Sequence, residues 1–138
     1  MSNAYFKVPQ PINEPVKAYK PGSPEREELK KKLTELKSKQ IEVPLIIGGE
    51  EVRTGNTEKM VIPHNHSHVL GVYHKAGKKE VDLAVEAALE ARKTWSEMPW
   101  EHRVSVFLKI ADLLAGPWRS TINAATMLGQ SKTAYQAE

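Results

Sequence analysis

Apolar residues recur at helical spacing along the second half of the chain. In residues 79–95 they lie three or four positions apart, with acids on the opposite face, so the pattern predicts an amphipathic helix. A second helix is expected over residues 99–116, where glycine and then proline stop it. A third, rich in alanine, is expected over residues 117–128, with Gly129 interrupting it.

The first half predicts an extended arm followed by one helix. Five of the nine prolines fall within the first 24 residues, and proline favours extended backbone in the residue before it. Residues 1–22 are therefore expected to form an arm. Ser23 and Pro24 then start a helix whose apolar face has only one residue per turn, Leu29, Leu33 and Leu36. A stripe this narrow suits docking onto a larger body.

Short strands are expected between that helix and the later ones. Gly48 and Gly49 lie between two apolar runs, and because glycine readily adopts positive φ they predict the turn of a β-hairpin. Residues 60–62 and 69–73 are two further strand candidates, separated by a polar turn at residues 63–68. Four strands in all are expected.

Composition limits the chemistry that the chain can perform. With 138 residues, of which 40% are hydrophobic, the chain is long enough for about one domain. It contains no cysteine, which excludes thiolate catalysis, thiolate metal sites and disulfides within these residues. The longest apolar stretches are far below the roughly 20 residues that a membrane span needs. Since no export signal is visible at the start, we expect a cytoplasmic protein that has no membrane partner.

The basic residues do not indicate a nucleic-acid partner. The net charge is +3, and the lysines of residues 30–39 alternate with glutamates over residues 25–35, so no stripe of one sign is formed. Gly129, Lys132 and Thr133 come close together, as in a phosphate-binding loop. However, the spacing of the two glycines and the preceding strand that such a loop needs are both missing, so binding of a nucleoside triphosphate by this motif is not expected.

Two sets of side chains are candidates for chemistry. His64, His66 and His68 alternate, and on a strand they could share one side and hold zinc or nickel, although polar turns often contain histidine. Trp95, Trp100 and Trp118 could form an aromatic platform. Packing between helices is the ordinary role of such tryptophans, and it is the role we expect here.

Residues 132–138 have the pattern of the opening turns of another helix, without a stop signal. This pattern predicts that the chain is the leading piece of a longer protein.

A series of motifs follows a specific order along the chain. They are a hairpin of the form Ile-x-Gly-Gly, a turn containing Asn65, a Val-Asp-Leu-Ala-Val-Glu-Ala-Ala helix ending in Trp95, the motif Glu101-x-Arg103, the helix at 107–114, and Gly-x-x-Lys. In this order the chain resembles the N-terminal part of the aldehyde dehydrogenase superfamily. Within the superfamily it is similar to the 1-pyrroline-5-carboxylate dehydrogenase branch, through residues 13–16, 22–26, 65–68, 114–119, 129–133 and 136–138.

The resemblance implies an α/β fold, the N-terminal part of the aldehyde dehydrogenase fold, incomplete in this chain. Residues 23–138 would be a partial segment associated with the NAD domain. The implied activity is the NAD-dependent oxidation of L-glutamate γ-semialdehyde to L-glutamate in proline degradation, by a parent enzyme that forms a homodimer or a larger homo-oligomer. In this family a cysteine thiolate attacks the aldehyde and a hydride passes to NAD. The resemblance places that cysteine and the dinucleotide site beyond Glu138, so the chain alone is expected to be inactive, with no catalytic or cofactor-binding residue of its own.

One site residue follows from the resemblance. Glu138 matches a glutamate near the substrate mouth of relatives, where a carboxylate could face the α-ammonium group of the substrate. An exposed acid at the end of the chain is the alternative interpretation. Two other functions stay open at this point: an interaction module that binds a full-length dehydrogenase, and a small histidine-based metal-binding protein.

Overall fold

The computed structural model describes residues 4–138 and has an α/β arrangement. Residues 4–20 contain no helix or strand, and residues 1–3 of the expected arm lie outside the described range. The elements follow in the order α1 (Pro24–Ser38), β1 (Ile41–Val43), β2 (Leu45–Ile47), β3 (Glu50–Val52), β4 (Thr57–Ile62), β5 (Asn65–His74), α2 (Lys78–Trp95), α3 (Trp100–Ala115), α4 (Arg119–Gln130) and α5 (Ala134–Ala137).

Strands β2 and β3 form the expected hairpin. They pair antiparallel, with Leu45 opposite Val52. The turn between them consists of Gly48 and Gly49, with φ values of 62° and 89°. Positive φ at both central residues is the geometry that matches the twist of the two flanking strands. The hairpin prediction is confirmed.

The second sheet has the order β1-β5-β4, with β1 parallel and β4 antiparallel to β5. The expectation of four strands was wrong, because three-residue β1 next to Pro44 gives almost no periodic signal. The polar turn was also predicted too long. Strand β5 already begins at Asn65, since irregular pairing near Val61 extends the ladder to Ile62 and Asn65.

A Cβ atom at Gly71 would overlap the carbonyl oxygen of Ile41, so the close approach of β1 requires glycine there.

The helices agree with the periodic pattern, apart from one end. Helix α4 continues through Gly129 to Gln130, so the predicted interruption at Gly129 was wrong. A glycine in the last turn weakens a helix by only about 1 kcal/mol, and the chain leaves the helix at Ser131, whose φ is 54°. The expected final turns are present as α5, whose first turn is capped by the Thr133 hydroxyl. Within residues 4–138, no helix combines the length and apolar content needed to cross a bilayer.

One small cluster of buried apolar residues lies between α1 and α4. Its buried residues are Tyr19, Leu29 and Ala124, with Leu33 and Met127 packed at its edge. The leucine stripe of α1 therefore docks onto α4, as its narrow width indicated. By contrast, α2 and α3 contain no buried residue.

The side chain of His74 connects the β3–β4 connection to β1. His74 is 5% exposed, and its Nδ1 accepts hydrogen bonds from the backbone N–H groups of Thr54 (3.1 Å) and Gly55 (3.2 Å). Because Nδ1 accepts, the ring proton lies on Nε2, which donates to Glu42 at 2.7 Å. This hydrogen bond from His74 lowers the pKa of the Glu42 carboxyl below its ordinary value.

Replacing His74 tests whether its hydrogen bonds hold the β3–β4 connection in place. His74→Ala leaves two backbone N–H groups without an acceptor, at a cost on the order of 1–3 kcal/mol for each donor left unpaired inside the protein. His74→Asn is the matched control, because the amide oxygen takes the place of Nδ1 and still accepts. We expect amide hydrogen exchange at Thr54 and Gly55 to be at least about tenfold faster in His74→Ala, and close to wild type in His74→Asn. Equal protection in wild type and His74→Ala would contradict this role.

Candidate functional site

The side chain of Glu138 lies at a junction of the arm, α4 and α5. It is 1% exposed, and its carboxylate accepts five hydrogen bonds from groups in the described part of the chain. The donors are the Lys17 backbone N–H (2.8 Å), the Tyr19 hydroxyl (2.7 Å), the Asn123 amide (2.8 Å), and Nε (3.2 Å) and Nη2 of Arg119. A carboxylate has about four lone-pair sites, so these donors saturate it.

Helix α4 supplies the charged partner and one of the amide donors. Arg119 is its first residue and Asn123 lies one turn later, so both side chains project from one face. Nη2 of Arg119 also donates to the carbonyl oxygen of Pro15 at 2.8 Å, and Asn123 also donates to the Tyr19 hydroxyl at 3.0 Å. Arg119 and Asn123 thus each bind Glu138 and also a residue of the arm.

Tyr19 has an unusual backbone conformation at this junction. Its φ is 49°, in the left-handed region, which costs a residue with a side chain roughly 1–2 kcal/mol. The surroundings offset this cost: the ring is buried, the hydroxyl bonds to Glu138, and Arg26 donates to the Tyr19 carbonyl oxygen at 3.1 Å. The conformation turns the arm so that Lys17 and Tyr19 both reach the carboxylate.

The network holds Glu138 ionised. Burial by itself would raise the pKa of the Glu138 carboxyl, but the hydrogen bonds from Arg119, Tyr19, Lys17 and Asn123 outweigh it and lower the pKa to about 2. Burial, and then the hydrogen bond to Glu138, raise the pKa of the Tyr19 hydroxyl, so it stays a donor. The hydrogen bond to Glu138 likewise raises the pKa of Arg119. The junction therefore contains a paired anion and cation across the ordinary pH range.

A cleft of about 330 Å³ opens beside this junction. Leu114 and Ile122 supply apolar walls, and Arg119 and Glu138 lie at its edge. Glu14, on the arm, lines the same cleft, and its charge acts on Arg119, whose pKa it helps to raise. The cleft could therefore receive a small molecule with a cationic group, and Glu14 brings a second carboxylate to its lining.

The predicted contact between Glu138 and a substrate ammonium needs a different arrangement of this junction. With five donors on the carboxylate and Arg119 balancing its charge, an ammonium group would have to displace one of them. Substrate binding by Glu138 stays a prediction.

The other candidate side chains are not gathered into a site. His64 lies in the β4–β5 turn and shares a hydrogen bond with the Ser131 hydroxyl at 2.7 Å, while Nε2 of His68 is 3.1 Å from the Lys37 carbonyl oxygen. Within the described range, no three histidine, aspartate or glutamate side chains come close enough to hold a metal ion. Trp95, Trp100 and Trp118 are exposed, so the expected packing between helices was wrong for this chain.

The sequence reasoning missed the partners of Glu138. Tyr19 was not singled out, and Arg119 appeared only inside a motif of the resemblance. One signal was available: Arg119 and Asn123 are four residues apart on the face of α4 that also contains buried Ala124. Two strongly polar side chains on a buried face need partners, which indicates a network.

Comparisons with known proteins identify similar chains. A family model described as "Aldehyde dehydrogenase family" matches residues 51–138. The Delta-1-pyrroline-5-carboxylate dehydrogenase of Agaricus bisporus is 47% identical over 136 residues, which are 98% of this chain and 25% of that protein. The mitochondrial Delta-1-pyrroline-5-carboxylate dehydrogenase of Homo sapiens is 47% identical over 126 residues, 91% of this chain and 22% of the human protein.

Solved structures give the same result. The crystal structure of the Delta-pyrroline-5-carboxylate dehydrogenase from Mycobacterium tuberculosis superposes with a TM-score of 0.96 at 47% identity. The match covers 100% of this chain and 26% of that one. The same enzyme has been solved with NAD bound, again with a TM-score of 0.96. The chain thus spans about a quarter of the length of the relatives that it matches.

Removing the cation from the junction should destabilise the chain strongly. Arg119→Met leaves the Glu138 carboxylate buried without its counter-charge, so we expect the free energy of unfolding to fall by about 3–5 kcal/mol. Lys109→Met, which removes an exposed cation from α3, is the control and should change it by no more than about 0.5 kcal/mol. Urea unfolding followed by tryptophan fluorescence measures both. Equal stability of the two variants would show that the junction does not hold the arm.

The low pKa of Glu138 predicts a specific loss of stability in acid. Because its carboxyl has a pKa of about 2 when folded and 4.5 as the ordinary value, its contribution is complete above pH 4.5 and is lost as the pH falls towards 2. Glu138→Gln does not titrate, so the difference in unfolding free energy between wild type and this variant should shrink over that pH window. A difference that is independent of pH would contradict the assigned network.

Proposed function

The chain belongs to the aldehyde dehydrogenase family, and we propose that it is the N-terminal part of an NAD-dependent enzyme that oxidises L-glutamate γ-semialdehyde, the open form of 1-pyrroline-5-carboxylate. The product would be L-glutamate, in proline degradation. The observation that carries the proposal is the match over the whole chain to a 1-pyrroline-5-carboxylate dehydrogenase at 47% identity. The expected fold, an incomplete N-terminal part of the aldehyde dehydrogenase fold, is confirmed by the same superposition.

We propose that the residues that perform the oxidation belong to the rest of the enzyme. There is no cysteine in the sequence to attack the aldehyde. In the described range, the parallel pair β1 and β5 is not joined by a crossover helix with a glycine-rich turn, so no dinucleotide-binding unit is formed. The described residues therefore do not form a binding site for NAD by themselves. In the proposal, the rest of the enzyme binds NAD.

The contribution that we propose for this chain is positioning. Glu138, placed by Arg119, Tyr19 and Asn123, would lie on the substrate side of the enzyme, with Glu14 lining the same cleft. An ammonium group of the substrate is the chemistry that a carboxylate there would recognise. The network fixes the position of the Glu138 carboxylate, and an ammonium group that binds there has to displace one of its five donors.

The division into an arm, residues 1–22, and a body, residues 23–138, is part of the proposal. Pro15 and Lys17 bond to the junction, whereas Tyr5 and Ile12 are 94% and 86% exposed. The arm is hydrogen-bonded to the junction at one end and exposes apolar side chains at the other. Such an arm is suited to contacts with a second subunit. We therefore include assembly as a homodimer or a larger homo-oligomer.

The helices support a longer parent protein. Helices α2 and α3 expose a set of apolar side chains that a chain folded by itself would bury: Val81, Leu83, Val85, Leu89, Trp95, Trp100, Val106, Phe107, Leu108, Ile110 and Leu114. Phe107 alone is 64% exposed. Extended apolar patches of this kind mark interaction surfaces.

A cytoplasmic location, expected because no export signal is visible, also belongs to the proposal. The human relative is named mitochondrial, so membership of the family does not by itself assign a compartment.

Extending the coding sequence past Glu138 tests the proposed function directly. We expect a continuing frame that encodes a cysteine-bearing domain, and an extended protein that forms NADH from NAD and 1-pyrroline-5-carboxylate. Absorbance of NADH is the measurement, and the 138-residue chain under the same conditions is the control, expected to be inactive. A stop codon directly after Glu138 with no such domain downstream would contradict the proposal. So would NADH formation by the chain alone once contaminating enzyme has been excluded.

A further inference from the structure

A second cleft, of about 510 Å³, lies at the other end of α4. Lys30 and Lys37 line it from α1, where their spacing of seven residues places them on one face, two turns apart. Lys132, just after α4, and His64, in the β4–β5 turn, also line it. No aspartate or glutamate is among the lining residues, so the cleft has walls of one charge sign.

These cations are only partly neutralised by the rest of the described chain. Lys30 bonds to Glu27 at 3.0 Å, in a pair that is more than half exposed and is therefore weakened by solvent. The ammonium groups of Lys37 and Lys132 form no ion pair with the acids of residues 4–138. A cleft lined by one sign of charge concentrates counter-ions, because its low-dielectric walls focus the field.

The lining is held together by a hydrogen bond and also contains apolar side chains. The hydrogen bond between Nδ1 of His64 and the Ser131 hydroxyl, at 2.7 Å, connects the turn to the end of α4. Leu33, Met127 and Leu128 also line the cleft. An occupant that matches this lining combines anionic groups with an apolar body. The volume is in the range of small-molecule sites.

We propose that this cleft binds a small molecule in which two or more phosphate groups are joined to an apolar ring, the chemistry of a nucleoside di- or triphosphate. Phosphate oxygens accept charge-assisted hydrogen bonds from lysine ammonium groups, which Lys30, Lys37 and Lys132 supply in this lining. The site does not use a phosphate loop, whose spacing the sequence lacks. Its cations come instead from α1 and from the residues after α4, which the fold brings together.

A nucleic-acid strand fits this surface less well than a small molecule. Outside the cleft, α1 presents Glu27 and Glu35 between its lysines, and Glu35 is engaged with Lys32 at 3.1 Å. A polyanionic strand that leaves the cleft would meet these carboxylates. The proposal does not depend on the proposed enzymatic function, since the 138-residue chain itself contains the cleft.

Calorimetric titration of the 138-residue chain with ATP tests the site. We expect saturable binding of one ATP at about 50 mM salt, weakening as salt is raised because exposed charges are screened. The double variant Lys37→Glu with Lys132→Glu should lose affinity by roughly tenfold for each reversal. Lys109→Glu makes the same charge change on exposed α3, away from the cleft, and should bind like wild type.

Further ligands and a neutral variant distinguish binding through the phosphate groups from binding through the ring or from charge repulsion. Pyrophosphate should compete with ATP and adenosine should not, and Lys37→Gln with Lys132→Gln, which adds no repulsion, should also weaken binding. Circular dichroism confirms that each variant is folded like wild type. The proposal is overturned if wild type shows no saturable binding, or if Lys109→Glu weakens binding as much as the double variant. It is also overturned if adenosine binds as well as ATP, or if a short RNA displaces ATP at a lower concentration than pyrophosphate does.

Discussion

The ion pair between Arg119 and Glu138 is the interaction on which the arrangement of this chain depends. Two opposite charges that are both nearly buried are stable together only when every remaining hydrogen-bonding position is filled. Tyr19, Asn123 and the backbone of Lys17 fill those positions. Because the donors come from the arm and from α4, satisfying one carboxylate also orders a segment that contains no helix or strand.

Helix α4 connects the two clefts. Arg119 begins the helix at the Glu138 junction, and the lysine-lined cleft lies at its other end, where Met127 and Leu128 line it. Twelve residues at 1.5 Å each give a separation of about 18 Å. The same helix receives the leucine stripe of α1, so the small core holds both clefts in place. A polar junction at one end and a basic cleft at the other are thus properties of one packed helix pair.

The remaining helices have a different character. Helices α2 and α3 match their predicted bounds closely, yet neither buries a side chain in this chain. Both segments form the helices that their amphipathic patterns predict, but no other described part of the chain buries the apolar faces. This combination agrees with a chain that spans about a quarter of its relatives, where the covering surfaces belong to other residues.

The sequence by itself determined the elements whose signals are local, together with the family. Helical periodicity in α2 and α3, and the two glycines of the hairpin, act within a few residues, so they are readable from the sequence. Only the tertiary structure decided where β1 pairs, which donors surround Glu138, and that Lys37 and Lys132 line one cleft. The reason is distance along the chain: Lys17 and Glu138 are 121 residues apart, and such a contact depends on how the intervening elements pack.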